Sequence, residues 1–116
     1  MAIFAVARPD GRVHATPLWY LWDDEGFHLV VDRDSPRHRF SVAAGRAAIC
    51  IESSDGDDLS FVTAEGPVSV GPLTQEDRYR MWEHYRGTEH AHRVVDAGGH
   101  ENRVSLILRP EVWIPA

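Results

Sequence analysis

Short apolar runs rich in β-branched and aromatic residues, separated by glycine, proline and acidic turn signals, dominate the first half of the chain. That pattern predicts a β-meander. Ile3–Ala7 is a strand candidate, and Pro9-Asp10-Gly11 a tight turn. Val13 to Trp22 is a second strand, in which Pro17 points to an edge or a bulge. Asp23 to Gly26 makes a hairpin loop, and Phe27 to Val31 is the third strand. Arg46 to Glu52 is the fourth, followed by a mobile polar loop over Ser53–Asp58. Leu59 to Val70 is a long fifth strand with a bulge or bend at Gly66-Pro67. Arg103 to Arg109 is a sixth, alternating Val104, Leu106 and Leu108 against Ser105 and Ile107. Pro110 ends it, and a short tail carries Trp113.

Two segments read as helices. Pro36–Ala44 lies between Ser35, a good N-cap, and Gly45, a good residue just past a helix end. Thr74 opens the second, with Glu76 and Asp77 in its first turn, and the helix runs to Arg86. Within it Tyr79, Trp82 and Tyr85 recur at helical spacing, a stripe that reads as packing rather than a ligand box. Gly87 to Asn102 is polar and reads as irregular, with room for a helical turn. No repeat or linker interrupts the chain, so residues 1–116 form one domain. Six strands and two short helices predict a mainly-β fold, a closed or nearly closed antiparallel barrel.

Composition narrows the function classes. A net charge of −6 argues against a broad nucleic-acid or anionic-membrane surface. Every basic residue is arginine, which removes lysine Schiff-base chemistry. Cys50 is the single cysteine, so no internal disulfide or cysteine-rich zinc site exists, and its apolar setting reads as a core thiol. No apolar run of about 18 residues is present for a membrane span. The N-terminus lacks the order of a signal peptide. A cytoplasmic protein is the expectation.

The chemistry concentrates after the third strand, in Asp32-Arg33-Asp34-Ser35-Pro36-Arg37-His38-Arg39. Ser35 and Pro36 suit a helix start whose free N–H groups and positive dipole end favour a phosphate, and cationic side chains cluster around it. The same residues also suit a capped, solvated surface helix. Arg12 to Trp22 is apolar or aromatic on both faces, which predicts cover by the core on one side. The other side would meet a partner subunit, a planar ligand or the second helix. His84, His90, His92 and His100 cluster without metal-ligand spacing and read as solvated surface, so no metal is expected. Neither Gly-x-Ser-x-Gly, Gly-x-Gly-x-x-Gly nor a Walker loop occurs.

In this order, Arg8-Pro9-Asp10-Gly11-Arg12, His14-Ala15-Thr16-Pro17-Leu18-Trp19-Tyr20, Asp23-Asp24-Glu25-Gly26, Ser35 with Arg37, Phe61 to Gly66, and Val104 to Pro110 carry a resemblance. The chain resembles the pyridoxamine 5′-phosphate oxidase-like split β-barrel superfamily of flavin- and deazaflavin-dependent oxidoreductases. The resemblance implies an FMN-binding-type split barrel and a homodimer with the cofactor in a groove between barrels. His14, Ala15, Thr16, Pro17, Leu18 and Trp19 would lie along the ring and ribityl chain, largely through backbone groups. Val30 and Val31 would sit beneath it, and Ser35 and Arg37 would hold the phosphate. His38 and Arg33 are further candidates. The Pro-Leu-Trp-Tyr wording is most similar to the branch using coenzyme F420. An arginine, Arg37, stands where lysine is common, keeping charge and allowing bidentate contact. Phe40 stands where asparagine is common, and neither the helix usual before the first strand nor the C-terminal substrate-binding segment of true pyridoxamine phosphate oxidase has a counterpart.

The resemblance therefore implies hydride transfer from reduced F420 or FMN to a small electrophilic substrate. Tyr20 or His14 is available as a proton donor. A non-catalytic FMN- or F420-binding carrier or sensor, and a structural dimer with an empty groove, are the alternatives.

Overall fold

A computed structural model describes residues 1–55 and 58–115, with the side chains of 53–55, 58, 59 and 100 left aside. The chain runs β1 (Ala2–Ala7), β2 (Val13–Leu18), β3 (Leu21–Asp23), β4 (Gly26–Asp32), α1 (Pro36–Ala44), β5 (Arg46–Asp55), β6 (Asp58–Pro72), α2 (Gln75–Arg86), α3 (Thr88–Asp96), a 3-10 turn (His100–Asn102), β7 (Arg103–Leu108) and β8 (Val112–Pro115). The strands form one antiparallel sheet of order β2-β1-β5-β6-β7-β4-β3, with β8 added on β6.

Strand alternation builds the core. Phe4, Leu29, Ile49, Ala64, Leu106 and Leu108 are completely buried on the inner face, and Phe27 and Val31 nearly so. The caps of α1 are as expected. Ser35 Oγ accepts the His38 N–H at 3.3 Å, and Gly45 adopts φ 71° while its N–H donates to Ser41 O. Thr74 caps α2 by accepting the Asp77 N–H at 3.1 Å.

The ends of the sheet path, β2 and β3, do not pair with each other, so the barrel is nearly closed but split, as the family resemblance implies. Three expectations change. The Val13–Trp22 strand is two, because the chain leaves β1 after Leu18 and joins β4 from Leu21. The Gly87–Asn102 stretch holds the full helix α3, which buries Ala91 and Val95. The Trp113 tail is the strand β8, paired with β6 from Val62 to Glu65.

Smaller differences have local causes. The polar stretch at 53–58 is strand up to Asp55 and again from Asp58, while Gly56 and Asp57 lie outside the described residues. The bulge falls not in β6, which runs unbroken, but opposite it. Gly66 and Pro67 face Arg109, Pro110 and Glu111 between the pairs Glu65–Val112 and Val68–Leu108. Cys50 is a half-buried thiol on the outer face, because Ile49 and Ile51 take the inward positions on either side of it.

Candidate functional site

The split leaves two open strand edges. Among the described residues β2 pairs only with β1. The Leu29–Asp32 half of β4 pairs only with β7, because β3 covers β4 no further than His28. Unpaired edge N–H and C=O groups are ready hydrogen-bonding partners. Along the chain, the open half of β4 leads directly into the turn before α1.

Register decides what each candidate residue offers. On β2 the pairs Phe4–Thr16 and Ala2–Leu18 set His14, Thr16 and Leu18 on the core side, with Ala15 and Pro17 facing out. The His14 ring packs edge-on against Phe40, centroids 5.5 Å apart. Thr16 Oγ1 is buried without a hydrogen-bond partner among the described residues. Val30 points outward from β4, whereas the Val31 side chain is in the core, so only its backbone is available to a ligand.

Around α1 the donors are partly committed. Asp34 takes a left-handed φ of 63°, and its N–H donates to His38 Nδ1 at 2.9 Å. Ser35 N–H donates to Asp32 O, and Pro36 has no N–H. The helix start therefore offers a ligand the Arg37 N–H and fewer other free donors than the sequence pattern implied. The Arg37 side chain is half-buried and makes no ion pair or hydrogen bond among the described residues. Arg33 instead donates through Nε and Nη2 to Glu101 O at 3.3 and 3.1 Å.

Beside the split lies a cavity of about 310 Å³, with Pro17, Leu18, Trp19 and Val30 in its wall. The remaining lining includes Arg78, Met81 and Trp82 of α2, and Arg103 of β7. Helix α2 thus supplies one wall and covers Trp19, the second-helix alternative that the Arg12–Trp22 pattern left open. Its aromatic stripe fixes the link from β2 to β3. Tyr85 stacks on Trp19 with centroids 4.7 Å apart and planes at 4°, and Trp82 meets Trp19 edge-on at 4.9 Å. Tyr85 OH accepts the Tyr20 N–H at 3.0 Å and donates to Tyr20 O at 2.9 Å. The Arg86 guanidinium covers Trp19, 5.2 Å from the ring centroid. Burial raises the Tyr85 phenol above its ordinary range, which keeps the donor protonated.

Three of the four histidines of the second half pack on aromatic rings, and the side chain of His100 lies outside the described residues. His90 stacks on Trp82, His92 tilts against Tyr79, and His84 meets Tyr85 edge-on. Three ligand-type side chains do converge within 4.8 Å at the β3–β4 hairpin: Asp23, Glu25 and His28. They satisfy one another, with His28 Nε2 2.7 Å from Asp23 Oδ1, and Arg80 lies 4.0 Å from Asp23 Oδ2. Burial pushes the Asp23 carboxyl up, but the His28 hydrogen bond, the Glu25 backbone N–H and nearby positive charge bring it net below its usual value.

No family model matches the sequence, and no curated protein sequence matches it. Solved structures do. The conserved hypothetical protein Rv2991 of Mycobacterium tuberculosis aligns at TM-score 0.80 and 24% identity, covering 98% of this chain and 74% of that one. An F420 reductase aligns at TM-score 0.78 and 22% identity, covering 97% and 87%. The fold is the pyridoxamine 5′-phosphate oxidase-like split barrel. HutZ, a heme storage protein of Vibrio cholerae, has a similar split barrel, at TM-score 0.75 and 13% identity over 97% of this chain and 83% of that one. Split barrels therefore accompany more than one function, and the site must supply the argument.

Proposed function

We propose that this split barrel is a homodimeric oxidoreductase that binds coenzyme F420 or FMN. The bound cofactor would supply a hydride for a small electrophilic substrate. The observation that carries the reading is the edge of β2 beside the split, unpaired among the described residues, together with an open half of β4 that leads to Ser35 and to Arg37, whose side chain has no partner among those residues. Edge N–H and C=O groups of β2 suit the polar rim of a flavin-type ring. Trp19 and Val30 offer apolar cover for its plane, and the Arg37 guanidinium with its own N–H suits a phosphate. The chain's task is to orient the ring and keep water from it. The structural likeness to an F420 reductase supports the flavin-type reading.

Titration of purified protein with FMN and with F420, followed by cofactor fluorescence, tests the proposal. One of them binds below tens of micromolar, and Arg37→Ala weakens it by about tenfold or more, as loss of one charge-assisted phosphate contact would. Absence of binding by both, or unchanged affinity in Arg37→Ala, refutes the assignment. Oxidation of the reduced cofactor by an added quinone, enone or tetrapyrrole then separates an enzyme from a carrier.

A further inference from the structure

Arg78 projects from the first turn of α2 yet is only 5% exposed. Its Nη1 donates to Gly98 O, while its Nε is buried with no partner among the described residues. No carboxylate among the described residues lies within ion-pair distance of it. The charged group closest in role is a second cation, Arg103, which donates from Nη1 to Gly99 O at 2.8 Å and holds Asp32 at 3.5 Å through Nε. The two guanidiniums converge. A Cβ placed on Gly99 would lie 3.2 Å from Arg103 Nη1 and 3.8 and 3.9 Å from the Arg78 Nη atoms.

A guanidinium does not shed its proton in a protein, so burying one beside another calls for compensating negative charge. Asp32 serves Arg103, and Glu101 acts on Arg78 only as a more remote charge. Burial first, and repulsion from Arg103 second, disfavour the charged form of Arg78. A structural tie to Gly98 would need one N–H and leaves the rest of the fork unexplained. Both arginines line the cavity described above, and the edge-on pair Trp19 and Trp82 with Met81 and Val30 gives it an apolar lining.

We infer that Arg78 and Arg103 form a carboxylate-binding site that selects a planar, anionic small molecule as substrate. The word substrate rests on the oxidoreductase reading, whereas the anion site rests on the cavity. A planar conjugated or aromatic body suits the apolar lining of Met81, Val30 and the indole edges, and a carboxylate matches the guanidinium fork. The cavity lies at the small end of ligand pockets, roughly 300–1,000 Å³. A cofactor phosphate shares the anion chemistry, and the test separates the two sources.

The probes are benzoate and its neutral isostere benzamide, with binding read from tryptophan fluorescence of the native protein. Benzoate is expected to bind about tenfold or more tightly than benzamide. Arg78→Gln abolishes that preference while leaving FMN and F420 affinity within about threefold. Arg103→Gln, at a half-buried position, lowers the preference too and serves if Arg78→Gln does not fold. Equal binding of the two probes, or a preference unchanged in both variants, overturns the proposal. Loss of cofactor rather than benzoate binding in Arg78→Gln also overturns it, because the pair would then hold the cofactor phosphate. A native protein that binds neither cofactor but keeps the benzoate preference refutes the oxidoreductase reading and supports the anion site.

Discussion

Gly66 shows how one residue can hold the split barrel's seam. A Cβ there would lie 1.8 Å from Arg109 O and 2.8 Å from its carbonyl carbon, both backbone atoms fixed by Arg109 N–H to Pro67 O and Glu111 N–H to Glu65 O. Neither side can yield without breaking the link from β7 to β8. Gly66→Ala should destabilise the fold by about 3 kcal/mol or more, read by chemical denaturation. The sequence pointed at Gly66-Pro67 as a bend, and the constraint is real, but the extra residue belongs to the facing chain. A turn signal marks where two strands crowd, not which of them bulges. Arg78 was illegible for a similar reason. An arginine among charged helical neighbours reads as solvated, and only the tertiary placement of the Gly98–Gly99 turn shows it buried. Ser35 was legible because capping is settled within four residues of chain.

At the level of elements, the contact between α2 and the link from β2 to β3 does most to shape the cavity. Tyr85 satisfies both backbone groups of Tyr20 and stacks on Trp19, so it fixes the ring that forms a cavity wall. Tyr85→Phe leaves the N–H and C=O of Tyr20 unpaired in a half-buried place. It should cost about 1–3 kcal/mol. The same variant carries a pH signature. The folded state raises the Tyr85 phenol above its unfolded value, so its contribution is complete below about pH 10 and is lost as pH rises through the folded value. Urea midpoints measured from neutral to strongly alkaline pH should fall less steeply in Tyr85→Phe than in the native protein. An equal slope would mean that the hydroxyl is not held as described. The elements that the sequence hid were missed for different reasons. α3 begins at Gly87 without a side-chain cap, so only the spacing of its buried Ala91 and Val95 marks it, whereas β8 is exposed at every position and has no alternation to read.

On the scale of the whole molecule, the proposed dimer would use the outer face of β1, β2, β5, β6 and β8. Ile3, Phe61 and Ile114 stand 45%, 41% and 46% exposed on it, with the small side chains of Ala5, Ala15 and Ala48 between them. Glu52, opposite Phe61, and Glu65, opposite Ala48, border these apolar side chains on the same face, as a polar rim borders an interface. The face is continuous with the cavity, because Pro17 pairs with Ile3 on it and also lines the cavity beside Trp19. A partner seated there would shield the open edge of β2 from water, so dimerisation and cofactor binding should be coupled. Light scattering should give twice the 13.1 kDa chain mass for the native protein. Ile3→Glu combined with Phe61→Glu places charges in an apolar contact and should shift the mass to that of one chain. Both positions point away from the core, so the variant should keep its fold by circular dichroism. Its FMN or F420 affinity should fall by about tenfold or more. A monomeric variant that binds cofactor as tightly as the native protein would show that one barrel suffices, and the shared groove would have to be abandoned.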